Sequence, residues 1–146
     1  MLDENKLITK SEIVDGADKK PLDNSLSLKK GDNAFLDACT LHLDVKLVEL
    51  ITRILSEIRA RYPGYLREGL ARKWVNHPGN YMAITIQNRD RSFAIHVKGS
   101  PKQFNARSID IKADRGSYCR FKLRHDSQFD DALKVILASA RSTEGY

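Results

Sequence analysis

From Asp44 to Tyr62 apolar side chains return every three or four positions, at Leu47, Val48, Ile51, Ile54, Leu55, Ile58 and Tyr62. That spacing lays one apolar stripe along a helix, with Asp44 suited to cap its start and Pro63-Gly64 to stop it. Burying such a stripe contributes roughly 1.5–3 kcal/mol per side chain, far above the few tenths that separate helix propensities, so packing decides this helix. Ile54 falls in the middle of the stripe and Arg53 on the outward side. A second, short helix is predicted over 63–74, because proline is accommodated in a first turn and Leu66, Leu70 and Trp74 fall four apart. The run Asn76-His77-Pro78-Gly79-Asn80 would end it.

From Tyr81 the period changes to two. Met82, Ile84 and Ile86 alternate with Ala83, Thr85 and Gln87; Phe93, Ile95 and Val97 alternate with Ala94, His96 and Lys98. Ile109 and Ile111 alternate with Asp110 and Lys112, and Cys119, Phe121 and Leu123 with Tyr118, Arg120, Lys122 and Arg124. The links between these runs are short and rich in turn residues, which predicts a four-stranded antiparallel meander with one dry and one wet face. A last helix follows, with Ser127 and Asp130 at capping-box spacing and Phe129, Leu133, Ile136, Leu137 and Ala140 on one side. The expected fold is a two-layer α+β domain: N-terminal helices, the meander, and a C-terminal helix, with the helices covering the sheet's apolar face.

Upstream of residue 41 the pattern fades. The first 25 residues carry isolated apolar positions, no aromatic residue and no sustained period, and are expected to be flexible. Residues 26–38 could dock as a short strand or hairpin, since Leu26, Leu28, Phe35 and Leu36 flank a Lys30-Gly31-Asp32-Asn33 turn signal. Residues 1–40 are therefore read as a largely flexible acidic arm, and residues 41–146 as a single basic domain. Charge sharpens that division: the arm holds 6 basic and 8 acidic side chains, the remainder 19 basic and 11 acidic. With 146 residues and 41% hydrophobic side chains there is material for one core.

The basic excess is concentrated between Arg59 and Arg124, with 15 basic and 4 acidic residues. On strand parity the wet face displays His96, Lys98, Lys112, Tyr118, Arg120, Lys122 and Arg124, with Tyr81, Thr85 and Gln87 beside them. A polyanion is the natural complement. The leading reading is a non-enzymatic domain contacting nucleic-acid phosphates through Lys98, Lys112, Arg120, Lys122 and Arg124, with Tyr118 and Tyr81 available to stack on bases. A solvated sheet face needs polar residues in any case, and lysine and arginine discourage edge pairing, so charge by itself does not establish a ligand. The alternative is a protein-interaction or regulatory module in which the acidic arm lies over its own basic face until a partner displaces it.

A third reading comes from Asp90 together with Asp110-Ile111-Lys112, with Glu57 or Glu68 nearby in sequence. This set resembles the carboxylate, carboxylate-x-lysine pattern of restriction-type nucleases, and the resemblance implies a divalent metal and an oriented water at Asp90, Asp110 and Lys112. It covers three residues, and a strand following Lys112 by hairpin departs from that fold's crossover helix. His42, His77, His96 and His125 show no paired spacing, and Cys39 and Cys119 stand alone, so no zinc signature and no other cofactor is called for. Cys119 falls on the dry parity as a packed thiol, and Cys39 near the flexible arm. Two cysteines, an acidic N-terminal stretch without an apolar run, and no long apolar span together suggest a soluble cytoplasmic chain with no membrane contact.

Overall fold

The computed structural model describes residues 28–144. The stripe that follows Asp44 forms helix α2, Val45–Arg61, and the Asp44 carboxylate accepts the Leu47 amide at 3.0 Å as an N-cap. Ile51, Ile54, Leu55 and Ile58 are fully buried, and Leu50 joins them from outside the predicted series. Arg53 points outward as expected, yet its guanidinium lies 4.2 Å from the Phe129 ring centroid and ties α2 to the last helix. Helix α1, Lys30–His42, precedes α2. After α2 come β1 Tyr65–Glu68, β2 Lys73–His77, β3 Met82–Gln87, β4 Ser92–Lys98, β5 Lys112–Ala113, β6 Tyr118–Leu123 and helix α3 Phe129–Glu144. No helix among the described residues is long and apolar enough to cross a membrane.

The α+β class and the N-terminal and C-terminal helices stand, but the sheet has six strands, in the order β1-β2-β3-β4-β6-β5, all antiparallel and open at both edges. The helix predicted over 63–74 is the β1–β2 hairpin. Leu66 and Trp74 do face the core, but as inward residues of two paired strands, with Leu66 opposite Asn76 and Trp74 opposite Glu68. Leu70, the middle of the supposed helical repeat, is at the hairpin tip and 91% exposed. The turn is closed by Ala71 and Arg72 at φ 56° and 61°, a conformation for which neither residue type is a signal.

The predicted third strand is also reduced. Only Lys112–Ala113 pairs, and it lies outside β6 rather than between β4 and β6. The chain between β4 and β5 is instead held by the first turn of α3. The Asp131 carboxylate accepts the amides of Arg107 and Ser108, at 3.0 and 2.8 Å, and the Ser108 hydroxyl at 2.7 Å. Ile109 is buried beneath it. On α3, Ala132, Val135, Ile136, Ser139 and Ala140 are buried, whereas Leu133 and Leu137 are only partly so; the inward face is rotated from the predicted one.

The turn expected at Lys30-Gly31-Asp32-Asn33 is the start of α1, and this helix belongs to the core. Phe35 is fully buried, with its ring 5.6 Å from Trp74 and 6.1 Å from Phe93. Asp32 is fully buried too. Its carboxylate takes the Arg59 guanidinium at two points, 2.7 and 3.1 Å, and the Leu66 amide of edge strand β1 at 2.9 Å. Gly31 passes so close to β1 that a Cβ would overlap the Leu66 carbonyl. One ion pair thus joins α1, α2 and the edge of the sheet. Cys39 is buried in α1 rather than lying near a flexible arm, and burial pushes its thiol up to about 12; Cys119 is buried on the dry parity, its thiol pushed up to about 11. Residues 1–25 lie outside the described residues.

Candidate nucleic-acid interface

With the helices on one side, the other side of the sheet is open. Strand register fixes what it shows. Arg67, Val75, Ala83, His96, Arg120 and Lys112 follow one another across the six strands as direct partners. The next row carries Lys73, Thr85, Ala94 and Lys122. The two central strands thus present alanines, Ala83 and Ala94, where the outer strands present long side chains. Short residues in the middle and long ones at the sides make hollows.

The larger hollow has a volume of about 600 Å³, with Ala94 on its floor and Lys112, Arg120, Lys122, Arg124 and His125 around it. Its far wall is Ser108 and Asp110, from the segment that Asp131 holds. Those Ser108 bonds keep the Asp131 carboxyl below its ordinary value. Gln128 locks the corner: its Oε1 accepts the amides of Arg124 and His125, at 2.7 and 3.0 Å, and its Nε2 donates to the carbonyls of Ser108 and Lys122, at 3.2 and 3.3 Å. The basic side chains therefore stand on a braced frame. Gln87 also borders a shallower hollow with Arg72 and Arg89, which extends the basic surface over the β3–β4 turn.

Four of the six sequence-predicted contacts, Lys112, Arg120, Lys122 and Arg124, meet in the larger hollow. Lys122 and Arg124 share the Asp90 carboxylate, Arg124 at 3.5 Å, and the Lys122 hydrogen bond lowers the Asp90 pKa. Lys112 pairs loosely with Asp110 at 3.6 Å, where both are largely exposed and the attraction is worth little. Arg120 has no carboxylate partner within 4.0 Å among the described residues. Tyr118 lines a second hollow instead, with its hydroxyl donating to the Asn80 carbonyl at 2.7 Å. Lys98, opposite Tyr118 at the end of β4, lines neither hollow. Tyr81 is not on the open face. It is buried with its ring 6.3 Å from Tyr62, and burial raises its phenol pKa.

The second hollow, of about 450 Å³, is floored by Ala83 and lined by Lys73, His96, Asp114, Arg115 and Tyr118. His96 Nδ1 lies 2.7 Å from Asp114 Oδ2. Burial opposes ionisation of Asp114, but the hydrogen bonds from His96 and the Arg115 amide outweigh it and lower the pKa overall. Nothing in the linear sequence pairs residues 96 and 114; the signal that could have exposed these hollows is the two alanines at polar parity.

Of the nuclease-like set, Asp110 and Lys112 line the larger hollow and Asp90 does not. Asp90 is engaged by Ser92 and Lys122, Asp110 by Lys112, and Glu57 by Arg61 on the same helix. Among the described residues no three His, Cys, Asp or Glu side chains are grouped so as to hold a metal ion. Compared with protein-family models, with curated proteins and with solved structures, the chain finds no match in any of the three.

Proposed function

We propose that this protein binds nucleic acid through its backbone phosphates, with the open face of β6 as the contact surface. The observation that carries the reading is the larger hollow: four cationic side chains around one alanine-floored depression, with Asp110 the one carboxylate among the described residues that line it and Asp90 behind Lys122 and Arg124. Arginine and lysine held on a braced corner suit phosphate oxygens, which need donors and positive charge but no particular base. Lys122 and Arg124 exchange Asp90 for phosphate on binding, whereas Arg120 is ready without exchange. Bound phosphates release condensed counterions, so affinity must depend on salt.

The test is fluorescence anisotropy of the full chain with labelled single-stranded and duplex DNA and RNA. Four phosphate contacts with a single strand predict an affinity loss of about 50-fold between about 50 and 200 mM salt. Arg120→Ala and Lys122→Ala should each weaken binding while leaving the melting temperature within a few degrees. Absence of binding to all four nucleic acids at the lower salt would overturn the reading.

A further inference from the structure

We propose that the second hollow reads a ribose 2′-hydroxyl through His96, so that the interface takes single-stranded RNA in preference to DNA; this rests on the phosphate-binding reading above. His96 projects from β4 between Ala83 and Arg120 in register, so its ring stands beside a shallow floor on one side and, on the other, a cation with no carboxylate within 4.0 Å among the described residues. A carboxylate at 2.7 Å only accepts, so the proton of the neutral ring lies on Nδ1 and the lone pair on Nε2. Among the described residues Nε2 has no hydrogen-bond partner. The pair is 14% and 24% exposed, within reach of a ligand yet dry enough for a hydrogen bond to count.

The ligand follows from that geometry. Nε2 asks for a hydroxyl donor, and Arg120 across the strand pair, with Lys73 and Arg115 around the hollow, asks for a nearby anion. A ribonucleotide offers a hydroxyl next to a phosphate. A deoxyribonucleotide offers the phosphate alone, and the 2′-hydroxyl is the group by which proteins separate the two polymers. The hollows have the size of pockets that enclose one small molecule, which fits nucleotides of an open strand rather than a duplex. Tyr118, its hydroxyl anchored on Asn80, forms one side where a base can lie.

The experiment measures anisotropy of the full chain with three short oligonucleotides of one sequence: RNA, DNA, and RNA methylated at every 2′-oxygen, which cannot donate. The wild type should bind RNA roughly two- to tenfold tighter than the other two, the worth of one hydrogen bond. His96→Ala should level the three affinities, and His96→Gln, whose amide oxygen reaches about as far as Nε2, should keep part of the preference. Melting curves of both variants check that they fold. Equal binding of RNA and DNA by the wild type, or an RNA preference that survives His96→Ala, overturns this inference while leaving phosphate binding intact. No binding to any of the three removes the phosphate reading and this one with it.

Discussion

Strands β4 and β6 carry two faces made from alternating residues of the same short stretches. Toward the helices stand Phe93, Ile95, Val97, Cys119, Phe121 and Leu123, all buried. Away from them stand Ala94, His96, Lys98, Tyr118, Arg120 and Lys122. The fold dictates the first set, because the helical layer must close over apolar volume without gaps. It does not dictate the second. β3 solves the same solubility problem with Thr85 and Gln87, whereas β6 places a cation at both open-face positions that follow Tyr118. Cations gathered on one strand around an alanine floor are the difference from β3 on which the proposed function rests.

The sharpest way to break this contrast is one acidic substitution on each side. Ile54→Asp places an unpaired charge at a fully buried position and should cost more than about 4 kcal/mol, enough to unfold the domain. Arg120→Asp should melt within about 0.5 kcal/mol of wild type while abolishing nucleic-acid binding. If Ile54→Asp kept the wild-type melting temperature, the division into covered and open faces would be wrong.

The helix-covered side has its own buried charge, and removing it refines the comparison. Asp32→Ala leaves the Arg59 guanidinium buried without its carboxylate and frees the Leu66 amide, a loss of about 3–5 kcal/mol in chemical denaturation. A loss below about 1 kcal/mol would mean that α1 is not held by this pair.

Acid should act through three carboxylates, Asp90 and Asp114 beside the hollows and Asp131 in the first turn of α3. The pKa values of Asp90, Asp114 and Asp131 are lowered in the folded protein, so their contribution is complete above the ordinary carboxylate range. It is lost as pH falls below about 4 through those lowered values. Carboxyl titrations followed by nuclear magnetic resonance should give midpoints for Asp90 and Asp131 below the ordinary aspartate value of 3.8. Midpoints above it would contradict the Lys122 and Ser108 contacts. The smallest effect is that of Asp110→Asn, which removes a negative charge lining the larger hollow and should tighten nucleic-acid binding about twofold with unchanged stability. Weaker binding would assign Asp110 a direct part in ligand contact.

How far the sequence discloses this molecule depends on whether the signal is local. The α2 stripe, its Asp44 cap and the parity of β3, β4 and β6 are legible because each rests on spacing within one element. The β1–β2 hairpin is not, since Leu66, Leu70 and Trp74 imitate a helical repeat and its turn runs through Ala71 and Arg72 in left-handed conformation. Helix α1 was hidden for another reason: Gly31-Asp32-Asn33 is ordinary turn chemistry until Asp32 meets Arg59, 27 residues away. In the same way strand parity collects Lys112, Arg120 and Lys122, but Asp114 beside His96, and Ser108 and Gln128 as the frame of the larger hollow, come together only through tertiary contacts.

The central claim is that β6 meets phosphate, and the salt dependence of binding tests it most directly. For a single strand the slope of log affinity against log salt should be near −3 for wild type, and Arg120→Ala should make it shallower by about 0.7, one contact's share. A wild-type slope near zero, or the same slope in Arg120→Ala, would contradict the account.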